Sequence, residues 1–415
     1  MREYRDGILH VEAVDLRRIV AAAGTPCYVY SRQQIESNWR AYDGAFGTRR
    51  HRVHYAVKAN DNLSIIRVLN HLGAGFDIVS GGELERVLAA GASAADVVFS
   101  GVGKSRAELL QAVHAGVSCI NIESSGELER IAEIASLLQR PVNLALRVNP
   151  DVDPQTHPYI STGLKASKFG VPIDQAHALY ARMAAHPWLH PTGVASHIGS
   201  QLTSIEPVLD AVRQVVMLAD SLRAAGIVLD HIDVGGGLGI RYQDEGLPPI
   251  ATWVSAVCAL VPAHYGVMME PGRSLVGAAG MLLTTVEYLK QTSAKTFAVV
   301  DAAMNDLMRP ALYGAWHGIM PIEAVSNADT LHHCDVVGPV CESGDWLAHG
   351  RDLPIVPGRV FAIVDAGAYG FAMTSNYNAR PRPPEVLVDG DRFVTIRARE
   401  SVRELMANET AHLIP

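Results

Sequence analysis

The sequence predicts an α/β chain with an added β region: a (β/α)8 barrel and a second, mostly antiparallel β-barrel domain. Three observations carry this reading. Short β-branched runs alternate with longer amphipathic stretches eight times between Val53 and Met269. Most of the runs are apolar throughout, as expected for parallel strands buried on both faces. After Arg273 the texture changes to strands punctuated by Pro and Gly, with no long helices.

The runs, in order, are Val53–Val57, Phe76–Val79, Val97–Ser100, Ser118–Ile122, Val142–Val148, Val194–Ile198, Val228–Val234 and Val267–Met269. The first four recur about every 20 residues, which leaves room for one crossover helix each. The seventh, with Asp230, His231 and Asp233, fits a buried strand least well. Between the runs, Glu83–Ala90 closes at Gly91 and Ala107–Ala115 closes at Gly116. Glu127–Leu138 sets Leu128, Ile131, Ile134, Leu137 and Leu138 on one face. Thr203 and Glu206 form a capping box ahead of Val208–Ala225, which Gly226 ends. Eight such units suggest closure into a barrel, with an open doubly wound sheet as the alternative.

Farther on, Met281–Lys290, Thr296–Asp301, Arg359–Asp365, Glu385–Asp389 and Phe393–Arg397 read as antiparallel strands. The last two flank the turn signal Asp389-Gly-Asp-Arg392. Ile8–Val11 and Cys27–Tyr30 are strand-like and available to pair with that region. The expected division is 31–275 for the barrel and 276–415 with 1–30 for the β domain.

Composition bounds the function. At 415 residues, 48% hydrophobic and 19% charged, the chain can bury a large core in more than one domain. A formal charge of −8 argues against nucleic-acid or polybasic membrane-surface binding, which need excess Lys and Arg. No apolar run reaches the roughly 18 residues of a membrane span, and Met1–His10 lacks a signal-peptide layout, so a cytoplasmic location is expected. Cys27, Cys119, Cys258, Cys334 and Cys341 are scattered without a CxxC pair, which disfavours a disulfide framework or a zinc site. His332, His333 and Cys334 are consecutive and would face opposite sides of a strand. Asp151 and Asp153 start like a calcium loop, but Pro154 interrupts it. No metal is expected.

In a parallel barrel the chemistry sits at the C-terminal ends of the strands. Lys58 follows the first run, and Arg147 and Asn149 end the fifth. His197 comes with the sixth, followed by Ser200 and Gln201; Gly235–Gly239 follows the seventh and Glu270-Pro-Gly-Arg273 the eighth. Lys58 taken alone reads as a lysine snorkelling to the rim; in this company it reads as a desolvated amine able to form a Schiff base. The glycine loop alone is a tight turn, but after strand seven it takes the usual phosphate position. It lacks the third glycine of a dinucleotide fingerprint. Glu270 and Arg273 could be a plain strand-end ion pair. A carboxylate is also what keeps a pyridine nitrogen protonated, and so makes that ring an electron sink. His197 is either a satisfied core histidine or a ring that stacks on a flat cofactor. Cys341, among the polar residues of Val340-Cys-Glu-Ser-Gly-Asp345, is either a small buried hydrophobe or a loop thiol at a site.

Taken together, these motifs resemble the alanine-racemase-like class of pyridoxal-phosphate enzymes, with a TIM-type barrel. Racemases of that class carry an arginine where Glu270 stands, so the resemblance is to its decarboxylase branch. Thr156-His-Pro-Tyr-Ile-Ser-Thr-Gly163, Lys168-Phe-Gly170, Met304-Asn-Asp-Leu-Met-Arg-Pro310, Tyr313, Cys341-Glu-Ser-Gly-Asp345 and Asp365-Ala-Gly-Ala-Tyr-Gly370 extend it to the diaminopimelate decarboxylase family over residues 8–412. The resemblance implies that Lys58 holds pyridoxal phosphate covalently, His197 stacks on its ring and Glu270 pairs with its nitrogen. It implies that Ser200, Gly235, Gly236, Gly237, Gly272, Arg273 and Tyr369 surround the phosphate. Arg273, Arg309, Tyr313, Glu342 and Tyr369 would bind the substrate, and Cys341 would donate the proton. In this family Cys341 and Glu342 would reach the site from a second subunit, which implies a homodimer. The distal end of meso-diaminopimelate offers a carboxylate to the arginines and an ammonium to Glu342. Ala303 stands where the family pattern has glycine. A same-fold decarboxylase of ornithine, arginine or carboxynorspermidine, and a non-catalytic relative, are the alternatives.

Overall fold

The computed structural model of the protein describes residues 2–153 and 168–414. The segment Thr156–Gly163 lies outside the described residues. The chain forms two compact units, one of Glu36–Ile240 with Glu245–Leu275, the other of Met1–Ile35, Arg241–Asp244 and Val276–Pro415.

Eight parallel strands close the first unit into a barrel. They are β1 (His51–Ala56), β2 (Gly75–Ile78), β3 (Val97–Phe99), β4 (Cys119–Ile122), β5 (Val142–Asn149), β6 (Leu189–Ala195), β7 (His231–Asp233) and β8 (Gly266–Met269). Each pairs with its neighbours in sequence, and β8 returns to β1 with Met269 opposite Val53. The open-sheet alternative is thereby excluded. Serines start three of the crossover helices: the hydroxyls of Ser80, Ser105 and Ser124 accept from the N–H groups of Glu83, Glu108 and Glu127. The Ser105–Glu108 pair is a full capping box.

Three local expectations are corrected. β6 starts at Leu189 and ends at Ala195, so His197 lies beyond the strand rather than within it. Pro191, with a register shift between Pro191 and Gly193, hides the strand's first half from an apolar-run reading. The Thr203 capping box does not form: the helix Glu206–Ala224 is entered through Ile205 without a side-chain cap. Leu137 is 67% exposed, and Ala135 joins Leu128, Ile131 and Ile134 on the buried face of Ser125–Leu138 instead.

The second unit is a mostly antiparallel sheet built on the long strand Gly280–Gln291. That strand pairs antiparallel with Cys27–Ser31, Thr296–Val300 and Val360–Val364. Cys27–Ser31 in turn runs parallel to Glu385–Asp389, so the N-terminal segment is part of this sheet. Leu9, Val11, Leu16 and Ile19 pack with Val29, Met281, Val364 and Val386 in its core. His332–Val337 and Trp346–Leu353 are further strands that the sequence reading did not identify. Among the described residues, no helix is long and apolar enough to cross a membrane.

Candidate active site

Lys58 sits on a single 3-10 turn, Val57–Ala59, directly after β1. Its Nζ lies 2.5 Å from Asp77 Oδ2 on β2, whose register sets Asp77 opposite Ala56. Asp77 is fully buried, so its charge is favourable only with such a partner. The barrel register thus brings an acid 19 residues away beneath the lysine.

The end of β7 explains why that run reads poorly as a strand. Asp233 is 1% exposed, and its Oδ1 accepts from the Gly235 N–H at 2.9 Å. Its carboxyl also shares a hydrogen bond with that of Glu270, after β8. Two anions cannot share that contact at low dielectric. Burial first, then the charges of Asp233 and Asp77, push the Glu270 carboxyl well above the usual carboxylate range. Burial also raises Asp233. Glu270 is half-buried as a residue, but its Oε1 is sealed from solvent and has no hydrogen-bond partner among the described residues.

The loops after β6, β7 and β8 interlock. The Gly236 N–H donates to His197 Nδ1 at 3.2 Å, which leaves the His197 proton on Nε2. Burial, followed by the charges of Arg147 and Lys58, pushes the His197 pKa well below its usual value, so the ring is neutral. Arg147 joins this loop to the rim, donating to His197 O at 3.3 Å and to Glu123 Oε1 at 3.1 Å. Gly235 and Gly237 have φ of +67 and +111. A Cβ at Gly235 would lie 2.7 Å from His197 Nδ1, and one at Gly237 would lie 2.6 Å from Leu202 Cδ1. Only glycine fits this path. Gly272 packs against the Lys58 turn, where a Cβ would come 3.1 Å from Ala56 and Ala59. Arg273 Nη2 donates to Ser200 Oγ at 3.2 Å.

The barrel therefore gathers Lys58, His197, Ser200, Gly235, Gly236, Gly237, Glu270, Gly272 and Arg273 on one rim. These residues fit pyridoxal phosphate. An amine stands beside a buried acid, a glycine loop lets an anion approach the backbone closely, and a carboxyl oxygen without a hydrogen-bond partner suits a group that can share a proton.

The remaining candidates lie in the β unit. The five-residue helix Arg309–Tyr313 buries Arg309, which donates to His317 Nε2 at 2.7 Å and lies over the Tyr242 ring. His317 Nδ1 faces the Val364 carbonyl at 2.8 Å. A carbonyl only accepts and a guanidinium only donates, so His317 is held as its Nδ1–H tautomer. Tyr313 is half-buried on the same short helix. Tyr369 occupies a left-handed position, φ +55, in the tightly folded segment Asp365–Gly370. Cys341 and Glu342 are exposed on the loop Gly338–Asp345 and meet Asn378 and Tyr377. Ala303 is buried and is not among the residues with positive φ, so the site does not need glycine there.

Asp77, His317, Tyr377 and Asn378 escaped the sequence reading. Only Asp77 left a signal, a lone charge inside the buried strand Gly75–Ile78.

Residues 32–277 match the family described as the pyridoxal-binding domain of pyridoxal-dependent decarboxylases. A diaminopimelate decarboxylase of Pseudomonas aeruginosa is 54% identical over 409 residues, covering 98% of both chains. Among solved structures, the diaminopimelate decarboxylase of Helicobacter pylori complexed with L-lysine superposes with a TM-score of 0.92 at 41% identity, covering 96% of this chain and 100% of that one. The enzyme of M. jannaschii in co-complex with L-lysine gives 0.94 at 37% identity, covering 100% and 98%. With glycine loops, buried acids and full-length similarity in agreement, the chain belongs to the diaminopimelate decarboxylase family of pyridoxal-dependent decarboxylases.

Proposed function

We propose that the barrel, read over 31–275, holds pyridoxal phosphate and that the β domain, read over 276–415 with 1–30, recognises the far end of the substrate. The protein is a pyridoxal-phosphate-dependent carboxy-lyase that converts meso-2,6-diaminopimelate to L-lysine and CO2, the last step of lysine biosynthesis. One observation carries the substrate reading: buried Arg309, braced by His317 and Tyr242, holds a fixed guanidinium, while the exposed carboxylate of Glu342 is available to a partner's site. A cation and an anion suit a distal end bearing both a carboxylate and an ammonium.

When bound, pyridoxal phosphate supplies a protonated pyridine ring able to accept the electron pair left as CO2 departs. The chain's residues prepare and finish that event. Lys58 would hold the cofactor through Nζ, which lies beside the Asp77 carboxylate. His197, neutral, would lie against the ring without adding charge to it. Ser200, Gly235, Gly236, Gly237, Gly272, Arg273 and Tyr369 would surround the phosphate. Glu270 would hold a proton at the ring nitrogen. Arg273, Arg309, Tyr313, Glu342 and Tyr369 orient the substrate. Cys341 delivers the proton that replaces the departing carboxylate.

The test is CO2 release from meso-diaminopimelate, LL-diaminopimelate, ornithine and arginine. Release with the meso isomer alone is expected, because unpaired buried polar groups reject analogues by factors of roughly 10^4 to 10^5. Turnover of ornithine without diaminopimelate would refute the pocket while leaving the cofactor site standing.

We further propose a cytoplasmic homodimer in which Cys341 and Glu342 serve the partner's site. The free cysteines and the exposure of Cys341 and Glu342 in the single chain support this. Lys58→Ala and Cys341→Ala chains, each inactive, should regain about a quarter of wild-type activity when co-expressed, since half the dimers carry one intact site. No recovery on mixing would place Cys341 in its own chain's site.

A further inference from the structure

Two adjacent residues of one loop meet two adjacent residues of another. Asn378 Oδ1 accepts from the Cys341 backbone N–H at 2.8 Å. One residue earlier, the Tyr377 hydroxyl lies 3.4 Å from Glu342 Oε2. The Glu342 charge raises the Tyr377 pKa, so the phenol stays protonated and donates.

The two loops differ in how they are held. Asp345, 4% exposed, anchors the first: its Oδ2 accepts from the Val340 N–H at 2.7 Å and its Oδ1 from the Met304 N–H at 2.6 Å. Those bonds fix the ends of the loop, and at its crest the Glu342 N–H donates to Val340 O at 2.8 Å while Glu342 O accepts from the Asp345 N–H at 3.0 Å. The second loop is strained, with Asn378 and Ala379 at φ of +57 and +54. Asparagine tolerates that region better than most residues and alanine does not, so neighbours must hold the conformation. They do so on both sides. Asn376 Nδ2 donates to Glu400 Oε2 at 2.8 Å, and Arg380 donates to Asp301 O at 2.5 Å and Asn305 Oδ1 at 3.1 Å. A rigid loop thus presents its side chains to the crest and adds the contacts that reach the Cys341 backbone and the Glu342 carboxylate.

We propose that Tyr377 and Asn378 are positioning residues for the decarboxylation: Asn378 fixes the Cys341 backbone and so the direction of its thiol, and Tyr377 sets how Glu342 presents its carboxylate to the substrate ammonium. The proposal rests on the roles given above to Cys341 and Glu342. It separates the two residues kinetically. Tyr377 serves recognition, whereas Asn378 serves proton delivery.

The experiment compares Tyr377→Phe, Asn378→Gly and Asn378→Asp holoenzymes with Glu342→Gln. Tyr377→Phe keeps the ring and loses the hydroxyl. It is expected to raise KM for diaminopimelate and weaken calorimetric L-lysine binding, each about 5- to 10-fold, with kcat within about twofold. Asn378→Gly keeps the left-handed backbone and loses the acceptor; kcat should fall about tenfold with KM nearly constant. Asn378→Asp restores the acceptor and should recover most of the loss. Iodoacetamide supplies a readout independent of turnover. Cys341 is the exposed thiol, while burial pushes Cys27 and Cys119 up to about 12 and Cys334 up to about 11. Alkylation of Cys341 should quicken in Asn378→Gly and return to the wild-type rate in Asn378→Asp.

Unchanged KM and lysine affinity in Tyr377→Phe, or equal losses in both Asn378 variants that track a lowered melting temperature, would overturn the proposal. Glu342→Gln then distinguishes the causes. If it weakens lysine binding, the reading of Glu342 survives alone; if it does not, that reading falls as well.

Discussion

Lys58→Ala is expected to lose all borohydride-trappable attachment of pyridoxal phosphate and to lower turnover by about 10^4-fold, the upper end for removing a positioned proton-transfer group. Lys58 Nζ lies 2.5 Å from the buried carboxylate of Asp77. An amine forms a covalent link only when deprotonated, and Asp77 Oδ2 lies within hydrogen-bond distance of the proton that Nζ must shed. The plain alternative is an ion pair that merely supports the end of β1. Lys58→Arg separates the two. Arginine keeps a cation beside Asp77 but stays protonated at any accessible pH, so it preserves the ion pair and forbids the chemistry. The melting temperature of Lys58→Arg should therefore approach that of the wild type, with turnover as low as in Lys58→Ala. A trapped adduct persisting in Lys58→Ala, or turnover restored by arginine, would remove Lys58 from its assigned role.

How far the sequence reveals this protein depends on which contacts are local. Strands buried on both faces announce themselves as apolar runs, so most of the barrel can be read directly. β6 is read late because Pro191 and Thr192 break its run. His332–Val337 and Trp346–Leu353 go unread because each carries polar residues toward an exposed side, as at His333, His349 and Asp352. The site follows the same division. Lys58, the Gly235–Gly237 loop and Glu270 are visible because barrel chemistry collects where strands end. Their partners are invisible because register and packing choose them. Asp77 lies 19 residues from Lys58. Asp233 lies on a different strand from Glu270, and His317 meets Arg309 only after the sheet brings Val364 alongside. Asp233 breaks the apolar pattern of its strand, and its buried bond from the Gly235 N–H accounts for the misfit.

The same carboxyl pair predicts opposite effects on activity and on stability. In Glu270→Gln, turnover should fall about 10^2- to 10^3-fold, the range for deleting one preorganised group at a site of developing charge, because glutamine cannot hold the ring nitrogen protonated. Stability of the cofactor-free protein should move the other way. Burial and the negative neighbours Asp233 and Asp77 raise the Glu270 pKa above its reference value of 4.5. A raised folded pKa means that the native state binds the proton more tightly than the unfolded chain does. The resulting contribution is fully present below 4.5 and is lost as pH climbs through the folded value. Glutamine never ionises, so it escapes that loss. The cofactor-free Glu270→Gln protein should then melt above the wild type at about pH 8.5, and the gap should close as pH falls toward the reference value. Thermal unfolding across that range, alongside kcat, tests both halves. A constant melting difference would mean that Glu270 is ionised in the cofactor-free site, and unchanged kcat would mean that the ring's electron demand is met without it. If both effects appear together, the cost of burying this acid pair beside the Lys58–Asp77 contact is a stability penalty retained for the decarboxylation it makes possible.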